Sequence, residues 1–190
     1  MTAPQGKGTR GKRPRYRGPD GPVPGGTADV TPDADPASVA RAIVLRQLTM
    51  APRSRAQLAQ KLADRGTPTD VADQVLDRME EVGLVDDVAF AEAWVRSRTQ
   101  TRGLSRTALG YELRDKGIAD ATTRAALDQV DDEAELATAR ELVARRLPTL
   151  RGVAHDKQMS RLVGMLARKG YSSGVAFRIV RDALDEAGTA

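Results

Sequence analysis

The phrase Leu-x-x-x-Leu-x-x-x-Gly stands three times in this chain: Leu58, Leu62 and Gly66; Leu109, Leu113 and Gly117; Leu162, Leu166 and Gly170. An apolar pair follows each glycine at a nearly constant interval: Val75 and Leu76, Ala126 and Leu127, Ile179 and Val180. Leucines four apart share one helix face, and a glycine one turn later supplies the left-handed residue that ends a helix. The phrase therefore predicts helix, cap, helix. Its recurrence in phase predicts an all-α chain built as an elongated array of three tandem three-helix repeats. Helices of this length are marginal alone and each repeat buries little area, so neighbouring repeats are expected to support one another, with flexible junctions near residues 84–86 and 130–132; a compact nine-helix globule is the alternative.

Punctuation along the chain sets the boundaries. Residues 1–36 contain seven of the ten prolines and seven of the seventeen glycines, interleaved with Lys7, Arg10, Lys12, Arg13, Arg15 and Arg17. Such a stretch has too little apolar side chain to offset the entropy of ordering, and it reads as a disordered basic tail. Asp35-Pro36 then opens a helix, with Asp as N-cap and Pro at the first helical position. The first repeat occupies residues 37–85, where Ser54 and Gln57 form a capping-box pattern and Thr67-Pro68 opens the third helix. The second occupies 86–130, with Asp86 or Asp87 and then Ser105 as caps. The third occupies 131–190, where Asp131 or Asp132 starts a helix that Pro148 must stop.

Composition narrows the chemistry. Aromatic residues make up only 3% of the chain, cysteine is absent and His155 is the one histidine. No disulfide framework, thiolate metal site or cysteine nucleophile is available, and a reducing, cytoplasmic location is expected. No apolar run approaches a membrane span, and no glycine-rich phosphate loop follows a strand pattern. A serine–histidine site would have to use His155 on a predicted loop edge, and the serines fall at predicted caps. Catalytic residues, metal and cofactor are accordingly all read as none. The stripe Phe90, Ala91, Trp94 and Val95 reads as packing rather than as a base-stacking platform, because its aromatics are in phase with the apolar face.

Charge is where the sequence points outward. The net charge of +4 is modest, but it is unevenly spread. Residues 61–92 hold three basic and nine acidic side chains, residues 93–111 hold four arginines and no acid, and residues 145–169 hold seven basic side chains and one acid. The first basic block, Arg96, Arg98, Arg102 and Arg106, with Lys116 just beyond it, uses arginine almost throughout, which favours forked contacts to phosphate or carboxylate. The second block comprises Arg145, Arg146, Arg151, Lys157, Arg161, Arg168 and Lys169. These twelve residues are the expected surface for a polyanion or an acidic protein groove.

The central stretch Asp87-x-x-Phe90-Ala91-x-x-Trp94-Val95, then Arg98, then Arg102-Gly103-Leu104-Ser105, then Leu109-x-x-Glu112-Leu113-x-x-Lys116-Gly117-Ile118, closely resembles the RecX family. The resemblance extends over roughly residues 38–187. That family consists of cytoplasmic regulators of the bacterial RecA recombinase, made of three tandem three-helix repeats. The resemblance implies a non-catalytic, monomeric protein that binds the RecA filament on single-stranded DNA. It implies inhibition of strand exchange, ATP hydrolysis and coprotease activity, and so a part in DNA repair, recombination and the SOS response. Weak direct binding of single-stranded DNA is implied too, since some members bind DNA. Three positions depart from the family pattern: Ala89 replaces a residue that is often basic, Trp94 replaces a commoner Tyr or Phe, and Gly110 interrupts a helix. Two competing readings come from the residues themselves. Ser54 to Leu84 resembles a winged helix-turn-helix transcription factor, which requires two short strands after Val85, and the repeat pattern alone also fits a generic helical scaffold.

Overall fold

The computed structural model describes residues 35–188, and the basic tail expected over residues 1–36 lies almost wholly outside them. Among the described residues there are nine α-helices and one short 3-10 turn, and no strand. The first repeat comprises α1 (Pro36–Met50), α2 (Arg55–Ala63) and α3 (Thr69–Glu81). The second comprises α4 (Asp87–Arg102), α5 (Arg106–Asp115) and α6 (Asp120–Asp128). The third comprises α7 (Asp132–Arg146), the turn Leu147–Leu150, α8 (His155–Arg168) and α9 (Ser173–Gly188). Because Val85 leads directly into α4, the strands that a winged helix requires are absent there, and that reading is overturned.

Local chemistry accounts for these limits. The carboxylate of Asp35 accepts from the backbone N–H groups of Ala37 and Ser38, Ser54 and Gln57 make a reciprocal capping box, and Asp86, Ser105 and Asp131 cap α4, α5 and α7. Each side chain satisfies donors that the first helical turn otherwise leaves unpaired. Thr67 supplies no cap; α3 begins after Pro68 without a side-chain bond. Pro148 ends α7, and the chain tightens there into the 3-10 turn.

Each repeat has its own core. The six leucines of the recurring phrase are its centre: Leu58, Leu62, Leu109, Leu113, Leu162 and Leu166 are each at most 1% exposed. Truncating any of them to alanine leaves a cavity worth about 2–5 kcal/mol. Around them pack Val44, Val75, Leu76 and Met79 in the first repeat, Phe90, Val95 and Ile118 in the second, and Val143, Ile179, Val180 and Leu184 in the third. The third helix of each repeat packs against both of its partners, and the extensive helix pairings all fall inside one repeat. Gly110, which the sequence marks as a weak point of α5, is buried there. A Cβ at that position would stand 3.3 Å from Leu127, so the glycine allows α5 and α6 to approach closely.

The junctions are bridged rather than loose. Val85 is buried in the core of the first repeat, and Val130 packs against that of the second, so neither linker is a free hinge. The larger effect lies elsewhere. Ser54, at the N-terminus of α2, donates its hydroxyl to the carbonyl of Lys116 at the C-terminus of α5 (2.6 Å). In the same way, the N–H of Ser105 at the N-terminus of α5 donates to the carbonyl of Lys169 at the C-terminus of α8 (2.9 Å). The second helices of the three repeats therefore meet head to tail in the order α8, α5, α2, with opposite ends of their macrodipoles together. Each meeting has a carboxylate clasp: the N–H of Arg55 donates to Asp87, and that of Arg106 to Glu135, both at 2.9 Å.

Candidate polyanion-binding surface

The twelve cations nominated by the sequence separate into two groups once their surroundings are known. Those of the second repeat are largely committed to internal partners. Residues 93–111 contain no acid, but folding brings acids to them. Glu112 of α5 accepts from Arg102 (2.8 Å) and from the Trp94 indole N–H (2.9 Å), and it stands 3.5 Å from Nε of Arg98. Trp94 stacks on Phe90 with centroids 5.7 Å apart, and the Arg98 guanidinium and Lys116 ammonium each lie 4.1 Å from its ring. The indole is thus a half-buried hub of two cations and a carboxylate rather than an open stacking platform. Arg106 pairs across the junction with Asp132 and Glu135, and exposed Arg96 pairs with Glu92 at 3.7 Å.

Lys169 and Tyr171 seal the junction of the second and third repeats. The Lys169 ammonium donates to the carbonyl of Arg102, and the Tyr171 hydroxyl donates to that of Gly103 (3.3 Å). Partial burial, aided by the positive charges of Arg102 and Arg145, holds the Lys169 pKa below its ordinary value. Burial, with a smaller contribution from Glu135, pushes the Tyr171 hydroxyl up to about 12. An acid whose folded pKa is raised is neutral in both states below its ordinary value near 10, so it does not affect stability there. Between pH 10 and 12 only the unfolded chain ionises it, and stability falls. Lys169 acts oppositely, its unfavourable charge being relieved as pH rises toward 10.5. Urea denaturation at stepped alkaline pH is expected to show a decline above pH 10 that is shallower in Tyr171→Phe.

The third repeat is different. Arg145 has an exposed ion pair with Glu141 at 3.8 Å, and Arg151 and Lys157 are exposed. Arg146, Arg161 and Arg168 instead converge on a groove of about 660 Å³ between the end of α7 and the outer face of α8, completed by Leu150, Ser160, Gly164 and Met165. Among the described residues no carboxylate lines it. Sequence reasoning nominated the three arginines but not Ser160, Gly164 and Met165, which line the same groove. The available signal was a glycine in the middle of an otherwise regular helix. His155 is exposed and faces Asp156 at 3.7 Å. Among the described residues there is no grouping of three or more His, Cys, Asp or Glu suited to a metal, and no helix long and apolar enough to cross a membrane.

Comparison with known proteins places this arrangement. Sequence profiles describing the first, second and third three-helix domains of RecX match residues 40–79, 86–127 and 133–180, in that order along the chain. The chain belongs to the RecX family. Regulatory protein RecX of Streptomyces coelicolor is 55% identical to it over 157 residues, covering 83% of this chain and 84% of that protein. The RecX protein of Thermobifida fusca is 53% identical over 171 residues, covering 90% of each. In three dimensions, RecX from Lactobacillus salivarius superimposes with a TM-score of 0.69 over 78% of this chain and 97% of that one, at 21% identity. A second crystal structure of a regulatory protein RecX gives 0.67 at 26% identity, covering 78% of this chain and 73% of that one. A regulatory role follows from the family, and a generic scaffold is no longer needed to explain the repeats.

Proposed function

We propose that this RecX-family chain binds the RecA filament on single-stranded DNA and restrains strand exchange, ATP hydrolysis and coprotease activity without catalysing a reaction of its own. The single observation that carries the reading is the ordered set of three RecX domains spanning residues 40–180. The charge distribution supports it. The third repeat leaves Arg145, Arg146, Arg151, Lys157, Arg161 and Arg168 exposed, and several such weak contacts made together raise effective affinity without any one tight site. The chain acts as a monomer in the cytoplasm, and its own contact with single-stranded DNA is weak beside its contact with the filament.

The test is a titration of the full-length protein into RecA-driven strand exchange and DNA-dependent ATP hydrolysis, at protein well below the recombinase concentration. Both activities are expected to fall, with the wild-type sedimenting as a monomer before it is added. Unchanged activity at equimolar protein would sink the reading.

A further inference from the structure

The groove of the third repeat has an occupant chemistry written into it. On α8, Arg161, Gly164, Met165 and Arg168 follow at i, i+3, i+4 and i+7, so they share one face, adjoining the face that buries Leu162 and Leu166 in the core. Arg146 closes the groove from the end of α7. Ion pairs engage Arg96, Arg98, Arg102, Arg106 and Arg145. By contrast, none joins Arg146, Arg161 or Arg168 to a carboxylate among the described residues. Arg146, Arg161 and Arg168 thus line one groove with no counter-charge from the described residues in its lining, and nearby positive charge raises the local concentration of anions.

Gly164 is the second observation. Glycine is a poor residue for the middle of a helix, yet here it forms the groove floor between Arg161 and Arg168. A Cβ at this position would stand 3.6 Å from Nη1 of Arg168, an ordinary contact, so close packing does not demand the glycine. Anything longer would project into the space between the arginines. Gly110 of α5 contrasts with it, because there the space is taken by Leu127.

We infer that this groove binds the sugar-phosphate backbone of single-stranded nucleic acid, with Arg146, Arg161 and Arg168 on phosphates and Gly164 keeping the channel open. The spacing selects a strand over a single phosphate group. Seven residues of helix separate Arg161 from Arg168 by about 10 Å along the axis, a span of several phosphates rather than one. Arginine forks match phosphate oxygens, Ser160 adds a hydroxyl, and Met165 gives an apolar strip suited to a ribose or base. This deepens the filament reading and rests on it for its setting. It also separates the labour of the two basic blocks: the second repeat's arginines build the protein, and Arg146, Arg161 and Arg168 of the third meet nucleic acid.

The test measures binding of the full chain to a fluorescently labelled oligothymidylate by anisotropy, across a salt series and with no recombinase present. Arg146→Ala, Arg161→Ala and Arg168→Ala combined are expected to weaken binding at least tenfold, and to reduce the log-log salt slope by about 2, at roughly 0.7 per phosphate contact on a single strand. Gly164→Glu, which improves helix propensity while placing a carboxylate among the arginines, is expected to do the same with an unchanged or higher melting temperature. Gly164→Ala is expected to bind like the wild type. Equal affinity and slope in the triple variant and in Gly164→Glu would overturn the proposal. Displacement of the oligonucleotide by polyglutamate would overturn it in favour of an acidic peptide, and by tripolyphosphate at equal phosphate concentration in favour of a small free phosphate compound. Because the assay contains no RecA, loss of oligonucleotide binding in the variants stands even if the wild type fails to inhibit strand exchange. Conversely, inhibition that survives without any effect on oligonucleotide binding keeps the filament reading and removes the groove.

Discussion

Replacing Gly170 by alanine is expected to destabilise the chain by about 3 kcal/mol or more, whereas the same replacement at Gly66 is expected to cost only about 1 kcal/mol. Both glycines end the second helix of their repeat in the left-handed region, at φ 90° and 73°. The strain of placing a side chain there is common to both, and is of order 1 kcal/mol. Their surroundings differ. A Cβ on Gly66 meets nothing within 4 Å. On Gly170 it would stand 2.5 Å from the Ser105 hydroxyl, 2.6 Å from the Ala108 Cβ and 2.9 Å from the Ala108 backbone nitrogen. Backbone cannot rotate aside, so α5 must retreat from α8. That retreat breaks the bond from the Ser105 N–H to Lys169 and loosens the Arg106 clasp on Glu135. Gly117 offers an internal check, because its nearest obstacle is only the Ala56 side chain. Gly117→Ala is therefore expected to be destabilising alone and largely rescued by Ala56→Gly. Urea denaturation of the four variants reads all of this directly. Equal losses at Gly66 and Gly170 would mean that the head-to-tail docking of the second helices has slack and does not hold the repeats.

Glu112→Ala is expected to cost about 2–3 kcal/mol, which is a large loss for a residue that is not fully buried. Among the described residues its carboxylate is the one acid facing Arg98, Arg102 and the Trp94 indole, with Lys116 on the same ring. Without it three cations crowd an indole that has lost its acceptor, so the effect exceeds that of removing an ordinary surface ion pair. Glu112→Gln keeps an acceptor for the indole and loses the charge, so about half the cost is expected. Added salt should recover part of the loss in both variants, because anions screen the uncovered cations. The measurement is the denaturation midpoint at low and high salt. A change below about 0.5 kcal/mol would show the cluster to be solvent-screened, and would return Arg98 and Arg102 to the set of residues available to an external anion. By the same geometry, reversing charge at Arg98 and Arg102 would set two new carboxylates against Glu112, so weakened binding in such a variant would report damage to the second repeat.

Much of the fold could be read from the amino acids because the governing interactions are local. Leucines four apart, caps at Asp35, Ser54, Ser105 and Asp131, and a stop at Pro148 act within a few residues, and each falls where periodicity and turn chemistry place it. The candidate site was legible only as composition. Arg98 and Arg161 look alike in a string of letters, both lying in blocks poor in acid. What separates them is the acid each meets across space. Glu112 arrives at Arg98 from the next helix, Glu135 reaches Arg106 from the next repeat, and no carboxylate of the described residues enters the groove at Arg161. The bridging of the junctions was hidden for the same reason. Short linkers suggest hinges when viewed along the chain, but the contacts that bridge the repeats are Ser54 with Lys116 and Ser105 with Lys169, more than fifty positions apart.

By itself, then, the order of residues determined that this protein is three helical units, where each helix starts and stops, and which leucines fill each centre, since hydrogen-bonding caps, left-handed glycines and helical periodicity operate between neighbours. Only the tertiary structure decided that Gly117 and Gly170 receive another helix whereas Gly66 lies open, and that the second repeat's arginines meet acids while Arg146, Arg161 and Arg168 line a groove without a carboxylate among the described residues. Those outcomes depend on close approach and on Coulomb pairing through space, which the distance along a chain does not encode.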